Sequence, residues 1–364
     1  MQETSETRSA IDPGTAVDLA LRESGGGRVA GVRSSVEFGR PAWLVQFVRG
    51  SWLCTAAVDA GTGEVTMILD DGPRADVAEP PLMDTAATDV TVLRSGFVTI
   101  GDLRAGSGTS AYAATEHGIA HIRLTRDGRL VVEDHHRVGP TREVAPVPGG
   151  VVATTADGRL VRVDPDGRPV WELQLPSCPH SLATDDTGTR LLAATMIGAL
   201  EVDATTGAVI RILGGAVRAA AYLPDGGRVL AGQGGKLLVL DAHGEQRWTW
   251  TQGERPGRMW VRDGRIHVTG EGGLKEILPG VGVLARWSSP LAGGVRSAVV
   301  TEGVVFTCSG EARLEAHGYA TAGYAGPLDG VPDHPETMTL LTDPSGAAWL
   351  LTAHRGGLIS AVRT

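Results

Sequence analysis

A repeat with a period near 40 residues constrains this chain more than any other feature. From Thr88 onward no helical spacing of apolar residues appears. Instead four short apolar segments recur, separated by turns rich in Gly, Asp and Pro. The stretches 142–173 and 218–250 are the clearest copies. In them and in the copy between, the last turn is Pro165-Asp166-Gly167, Thr205-Thr206-Gly207 or Ala242-His243-Gly244, each close behind an Asp (Asp164, Asp203, Asp241). Aligning the units places Arg142, His180, Arg218, Arg258, Arg296 and Glu336 at equivalent positions, at intervals of 38, 38, 40, 38 and 40 residues. Four-stranded units at this period are the blades of a toroidal β-propeller. Counting units predicts seven blades, at 90–136, 138–175, 178–213, 215–252, 255–291, 293–327 and 331–364, with six or eight left open by the irregular stretch Gly101–Thr109. Only three strands follow Glu336, so the last blade needs a fourth from elsewhere, and Val90–Arg94 is the natural donor. Such closure hides open strand edges.

The first 72 residues follow another pattern. Asp12-Pro13 offers a helix cap followed by Pro at the first helical position. Ala16, Val17, Leu19, Ala20 and Leu21 form a short apolar stripe, and Gly25-Gly26-Gly27 ends it. Strands are expected over 29–38, 42–49, 51–59 and 64–69, with turns at Gly39-Arg40-Pro41 and Ala60-Gly61-Thr62-Gly63. The predicted organisation is a disordered tail over 1–9, a small α+β domain over 10–72, a linker over 73–88 and the propeller over 89–364. The fold class is mainly β.

Composition removes several function classes. The 51 Gly and 20 Pro are scattered, which suits many strands and tight turns and not a disordered chain. A net charge of −9 with no basic stripe speaks against a nucleic-acid partner. There is no apolar run long enough for membrane insertion, and the polar, acidic start lacks the form of a signal peptide. The chain therefore reads as cytoplasmic and monomeric, or as secreted if a signal has been removed. Cys54, Cys178 and Cys308 are far apart, lack metal spacing and read as buried thiols. No motif calls for a cofactor or a metal.

Two resemblances add to this. The helix of 15–21, the Arg28–Val32 and Gly39–Val48 segments and above all the turn in Ala56–Val65 resemble a PepSY-type domain. That likeness covers about 60 residues and implies a small binding or inhibitory module without catalytic residues. The segments around Val163-Asp164 and Trp171, Val202–Gly207, and Leu240-Asp241 and Trp248 resemble repeats of the PQQ-like and WD40-like propellers. The likeness implies architecture only, because the adjacent cysteines of the quinone enzymes are missing.

The alignment also predicts where binding occurs. Arg142, His180, Arg218, Arg258 and Arg296 each stand just before an innermost strand, so they should ring one mouth of the channel. Converging guanidinium groups repel one another unless an anion joins them, and Arg suits carboxylate and phosphate. The loops between second and third strands bring Glu116, His117, Asp157, Met196, Gln233, Glu271, Glu311 and His354 to the same face. Ion pairs such as Arg142 with Asp157 or Arg258 with Glu271 satisfy the same spacing, so an anion pocket and a set of blade-to-blade ties both remain open. Trp260 follows Arg258 and is placed to wall a pocket, whereas Trp171, Trp248, Trp250 and Trp287 read as packing. His117, His354 and Glu336 fall on neighbouring blades as a candidate acid/base or metal group or as solvated loop residues. The expected function is binding of an acidic small molecule or protein partner at the channel mouth. The alternative is a non-redox lyase, cyclase or hydrolase acting on a carboxylate- or phosphate-bearing substrate, with His180, His117 or His354 moving protons.

Overall fold

A computed structural model describes residues 10–37, 39–74, 89–251, 253–289, 294–309 and 313–364. The expected tail (1–9), most of the linker and Glu311 lie outside these residues. The protein is a mainly β propeller with one helix among the described residues. Six four-stranded antiparallel sheets stand as blades, spanning 100–136, 141–174, 179–213, 217–251, 295–327 and 335–363. The 335–363 blade takes Val90–Arg94 as its outermost strand, in the register Leu358↔Arg94 to Val362↔Val90. In each blade the first strand lies innermost, and neighbouring innermost strands touch around the ring, with Pro335–Thr342 against Ile100–Ala105 closing it. Apolar clusters fill the wedges between blades. One holds Ala145, Val152, Leu182 and Leu191 from adjacent blades; another joins Leu103 and Ile122 to Leu351 and Ile359 across the closure.

The expectation of seven separate blades behind a detached front domain is corrected. The strands of 256–287 do not end as a four-stranded blade. They continue into β1 (Gly26–Glu37), β2 (Arg40–Arg49), β3 (Trp52–Asp59) and β4 (Val65–Pro73) as one eight-stranded sheet. The seam is Gly26↔Trp287, Gly27↔Arg286 and Arg28↔Ala285. It requires glycine. Gly26 and Gly27 have φ of +115° and +149°, and a Cβ on Gly26 would lie 2.8 Å from the Arg286 carbonyl oxygen. The helix α1 (Pro13–Glu23) forms as read, with Asp12 accepting from the Thr15 backbone N–H at 2.9 Å. Its buried face, Ala16, Val17, Ala20 and Leu21, shares one core with Phe47, Ala56, Ile266, Ile277 and Val283. The front elements and the propeller therefore share both a sheet and a core.

Cys54 and Cys308 are buried as expected, but Cys178 is exposed in the turn before Pro179. No described helix is long and apolar enough to cross a membrane.

Candidate functional site

The aligned ring has a structural basis that the sequence did not show. Each innermost strand shifts register at its second residue. The shifts lie between Ile100 and Asp102, Thr141 and Glu143, Pro179 and Ser181, Val217 and Ala219, Pro256 and Met259, Val295 and Ser297, and Pro335 and Thr337. The bulged residues are Gly101, Arg142, His180, Arg218, Gly257 with Arg258, Arg296 and Glu336. A bulge turns its side chain away from the ladder. The 256–262 strand bulges by two residues, which accounts for one of the two extra residues in the 40-residue step from Arg218 to Arg258.

The residue after each bulge does a second job. An innermost strand has a free edge along the channel, and its orphan N–H groups need acceptors. Asp102 accepts from Val144 N–H at 3.3 Å, and Glu143 from Leu182 N–H at 2.7 Å. Ser181 accepts from Ala220 N–H at 3.2 Å, and Ser297 from Met338 N–H at 3.3 Å. Four junctions between neighbouring innermost strands are thus tied at the channel wall.

At this end of the channel a cavity of about 400 Å³ is lined by His180, Arg218, Arg255, Arg258, Glu271 and Arg296 from the predicted side, and by Arg104 and Glu143 from within. Five of the predicted ligand-binding or catalytic residues, His180, Arg218, Arg258, Arg296 and Glu271, are therefore brought together. Their charges are arranged unevenly. Arg258 reaches across the ring from the eight-stranded sheet to the Asp102 carboxylate on the 100–136 blade, and also donates to the Gly101 carbonyl at 3.0 Å. Asp102 is fully buried and is also held by Arg104 at 3.0 Å. Burial alone would raise its pKa, but Arg104 and Arg258 outweigh that and hold it at about 2. Glu143 behaves oppositely: burial first, then the Asp102 charge, push its carboxyl up to about 7. Arg218 makes one hydrogen bond, from Nε to the Pro256 carbonyl at 2.9 Å. Burial and the neighbouring Arg255 lower its pKa. Arg218 and Arg255 have no carboxylate partner among the described residues. His180 stands beside them with its buried Nε2 lacking a hydrogen-bond partner, and burial, Arg218, Arg142 and Arg255 lower its pKa.

Other sequence-predicted residues fall elsewhere. The pairing of Arg142 with Asp157 does not form: Asp157 takes Arg159 at 2.9 Å, two residues along its own hairpin, and Arg142 is exposed outside the cavity wall. Nor does Arg258 pair with Glu271, since the buried Asp102 takes it instead. Arg296 lies 3.8 Å from Glu336, which Arg355 also approaches at 3.4 Å. The His117, His354 and Glu336 group does not assemble. His117 is exposed beside Glu116 and His135. His354 is buried, with its Nε2 2.8 Å from the Ser360 hydroxyl, and burial drives its pKa down to about 4. No trio of His, Cys, Asp or Glu among the described residues is placed to hold a metal ion. Trp260 stacks on His267 at 5.3 Å and walls a different cavity.

Sequence reading missed Asp102, Arg104, Glu143 and Arg255. The signal for the carboxylates was the position after each aligned residue, which is polar in five of seven repeats (Asp102, Glu143, Ser181, Ser297, Thr337). Chemically, the site offers several donors, one ionised carboxylate spanned by two guanidinium groups and one carboxyl that titrates near neutrality. That composition suits an anion bearing two or more acceptor oxygens. Compared with known proteins, the chain matches no family model and no curated protein.

Proposed function

We propose that the protein is a binding protein whose channel mouth holds a small acidic ligand, or the acidic group of a protein partner, between Arg218, Arg255 and His180. One observation carries this reading: two guanidinium groups without carboxylate partners among the described residues, beside a histidine whose buried nitrogen lacks a hydrogen bond among them. Repulsion between such groups falls when an anion is shared. The cavity volume suits a small di- or tricarboxylate or a phosphate ester. The helix leading into a four-stranded meander supports reading the front elements as PepSY-like, as does the turn in which Asp59 accepts from Gly61 and Thr62 N–H. The four-stranded repeats support the PQQ-like or WD40-like reading of the ring in the same way.

The test is calorimetric titration with citrate, succinate and phosphate. Arg218→Ala and Arg255→Ala should each weaken binding roughly tenfold or more, since hydrogen bonds to charged groups are worth about 1.5–3 kcal/mol. Unchanged affinity in both variants would remove the pocket. A catalytic reading draws on Glu143 alone, whose carboxyl titrates at about 7 where proton transfer needs it. Conversion of a bound acid that Glu143→Gln abolishes without loss of binding would establish it.

A further inference from the structure

Arg104, Arg258 and Met259 line the cationic cavity and also line a second one that opens at the other end of the innermost strands. The span of Arg258 across to Asp102, with Arg104 on the far side of the same carboxylate, forms a septum between them. The second chamber differs in character. It is about 1330 Å³, larger than the roughly 300–1,000 Å³ that holds a drug-sized ligand. Its walls are apolar, with Leu103, Trp260, Val299, Phe306, Met338 and Leu340 prominent among them. Its inner end is the septum, where two guanidinium groups face one ionised carboxylate and leave a net positive charge. Arg262 and Glu302 also stand in the lining, one charge of each sign.

We infer that this chamber is a second binding site, for an amphiphilic monocarboxylic acid whose apolar body fills the cavity and whose carboxylate meets Arg104 and Arg258 at the septum. Charge and shape argue together. Filling an open chamber with largely apolar walls releases water from apolar surface, and the charges at its inner end are cationic in sum. The cationic mouth above selects small, highly charged anions; the chamber below selects a single charge on a long apolar body. The two sites share Arg104, Arg258 and Met259 in their walls.

The experiment uses the full chain and a series of octanoate, decanoate and dodecanoate below micelle-forming concentrations, with decanol as the uncharged control. Each two-carbon extension should tighten binding roughly tenfold, from about 0.8 kcal/mol per methylene buried. Decanol should bind at least tenfold more weakly than decanoate. Ala298→Phe, which fills the chamber, should weaken decanoate at least tenfold and leave citrate binding unchanged. Quenching of Trp260 by a bromine-labelled decanoate, lost in Trp260→Phe, provides a second readout if the filled variant folds poorly. Absence of binding, independence of chain length or decanol binding as tightly as decanoate would overturn the assignment. So would loss of decanoate binding in Arg218→Ala with none in Ala298→Phe, which would place the acid in the upper cavity instead.

Discussion

Asp102 and Glu143 occupy the same position in adjacent blades and both cap a neighbour's backbone N–H, yet they titrate in opposite directions. The difference is the guanidinium pair on Asp102. At neutral pH Asp102 is fully ionised and Glu143 is half protonated. Below pH 7 Glu143 becomes neutral and the cavity gains positive charge. Arg104, Arg218, Arg255, Arg258, Arg296 and Glu271 face the same cavity, and the His180 pKa is lowered by burial and by Arg218, Arg142 and Arg255, so its own gain of charge falls at lower pH than a free imidazole's. Sulfate, which does not itself titrate here, should therefore bind about three- to tenfold more tightly at pH 6 than at pH 8. Glu143→Gln should bind it at pH 8 as wild type does at pH 6, and lose the slope. A slope that survives in Glu143→Gln would assign the titration elsewhere. Stability should follow the same sign. A folded pKa raised to about 7 means stability present below the ordinary carboxyl value and lost as pH rises through 7. The arginines were legible in the sequence because bulge positions recur with the blade period. The carboxylates were not, because an acid in an alternating strand looks like any solvent-facing residue until the channel edge is known.

The elements were legible wherever local chemistry decided them. Asp12-Pro13 began α1, the Gly-rich turns spaced the strands, and Val90–Arg94 was left over to close the last blade. What joins two elements was not legible, because a strand edge carries no mark of its partner. Gly25-Gly26-Gly27 looked like a helix terminator, yet Gly26 and Gly27 also admit β1 to the edge of Gly282–Trp287. The same junction holds a buried charge network. Asp18 on α1 receives Lys275 Nζ at 3.0 Å and Arg286 at 3.0 Å; Glu254 takes Arg286 at 2.7 Å and Lys275 at 3.3 Å. Lys275 and Arg286 are almost fully buried. Removing one member of such a network leaves buried charge undercompensated, which typically costs 3–5 kcal/mol. Asp18→Ala should lower the free energy of unfolding by about 3 kcal/mol in urea, with an unchanged m value. A loss under about 1 kcal/mol would mean that Glu254 alone suffices and that the helix is held by its apolar face.

For the molecule as a whole, the question is whether residues 10–74 unfold with the ring. A front domain tied only by a linker would melt on its own. Here β1 pairs with the Ala285–Trp287 end of the Gly282–Trp287 edge, and Arg28 reaches into the ring to pair with the buried Glu276 at 3.1 Å. Arg265, at 2.7 Å, and the Tyr319 hydroxyl, at 2.7 Å, meet the same carboxylate; burial would raise its pKa, but His267 at 3.3 Å, Arg28 and the Tyr319 hydroxyl outweigh that and hold it at about 2. Trp287 is fully buried beneath this seam and donates to the Gly318 carbonyl at 3.1 Å. A ring also resists piecemeal loss, because opening any blade exposes the innermost edges of its neighbours. Calorimetry should therefore give one transition with matching calorimetric and van't Hoff enthalpies. A chain starting at residue 89 should not melt like the parent without its front elements. It exposes the Gly282–Trp287 edge and strips partners from Lys275, Arg286 and Glu276, so it should lose at least 10 °C of melting temperature or aggregate. Two resolved transitions, or a truncated ring that melts within a few degrees of the full chain, would mean that the shared sheet is a contact between independent units.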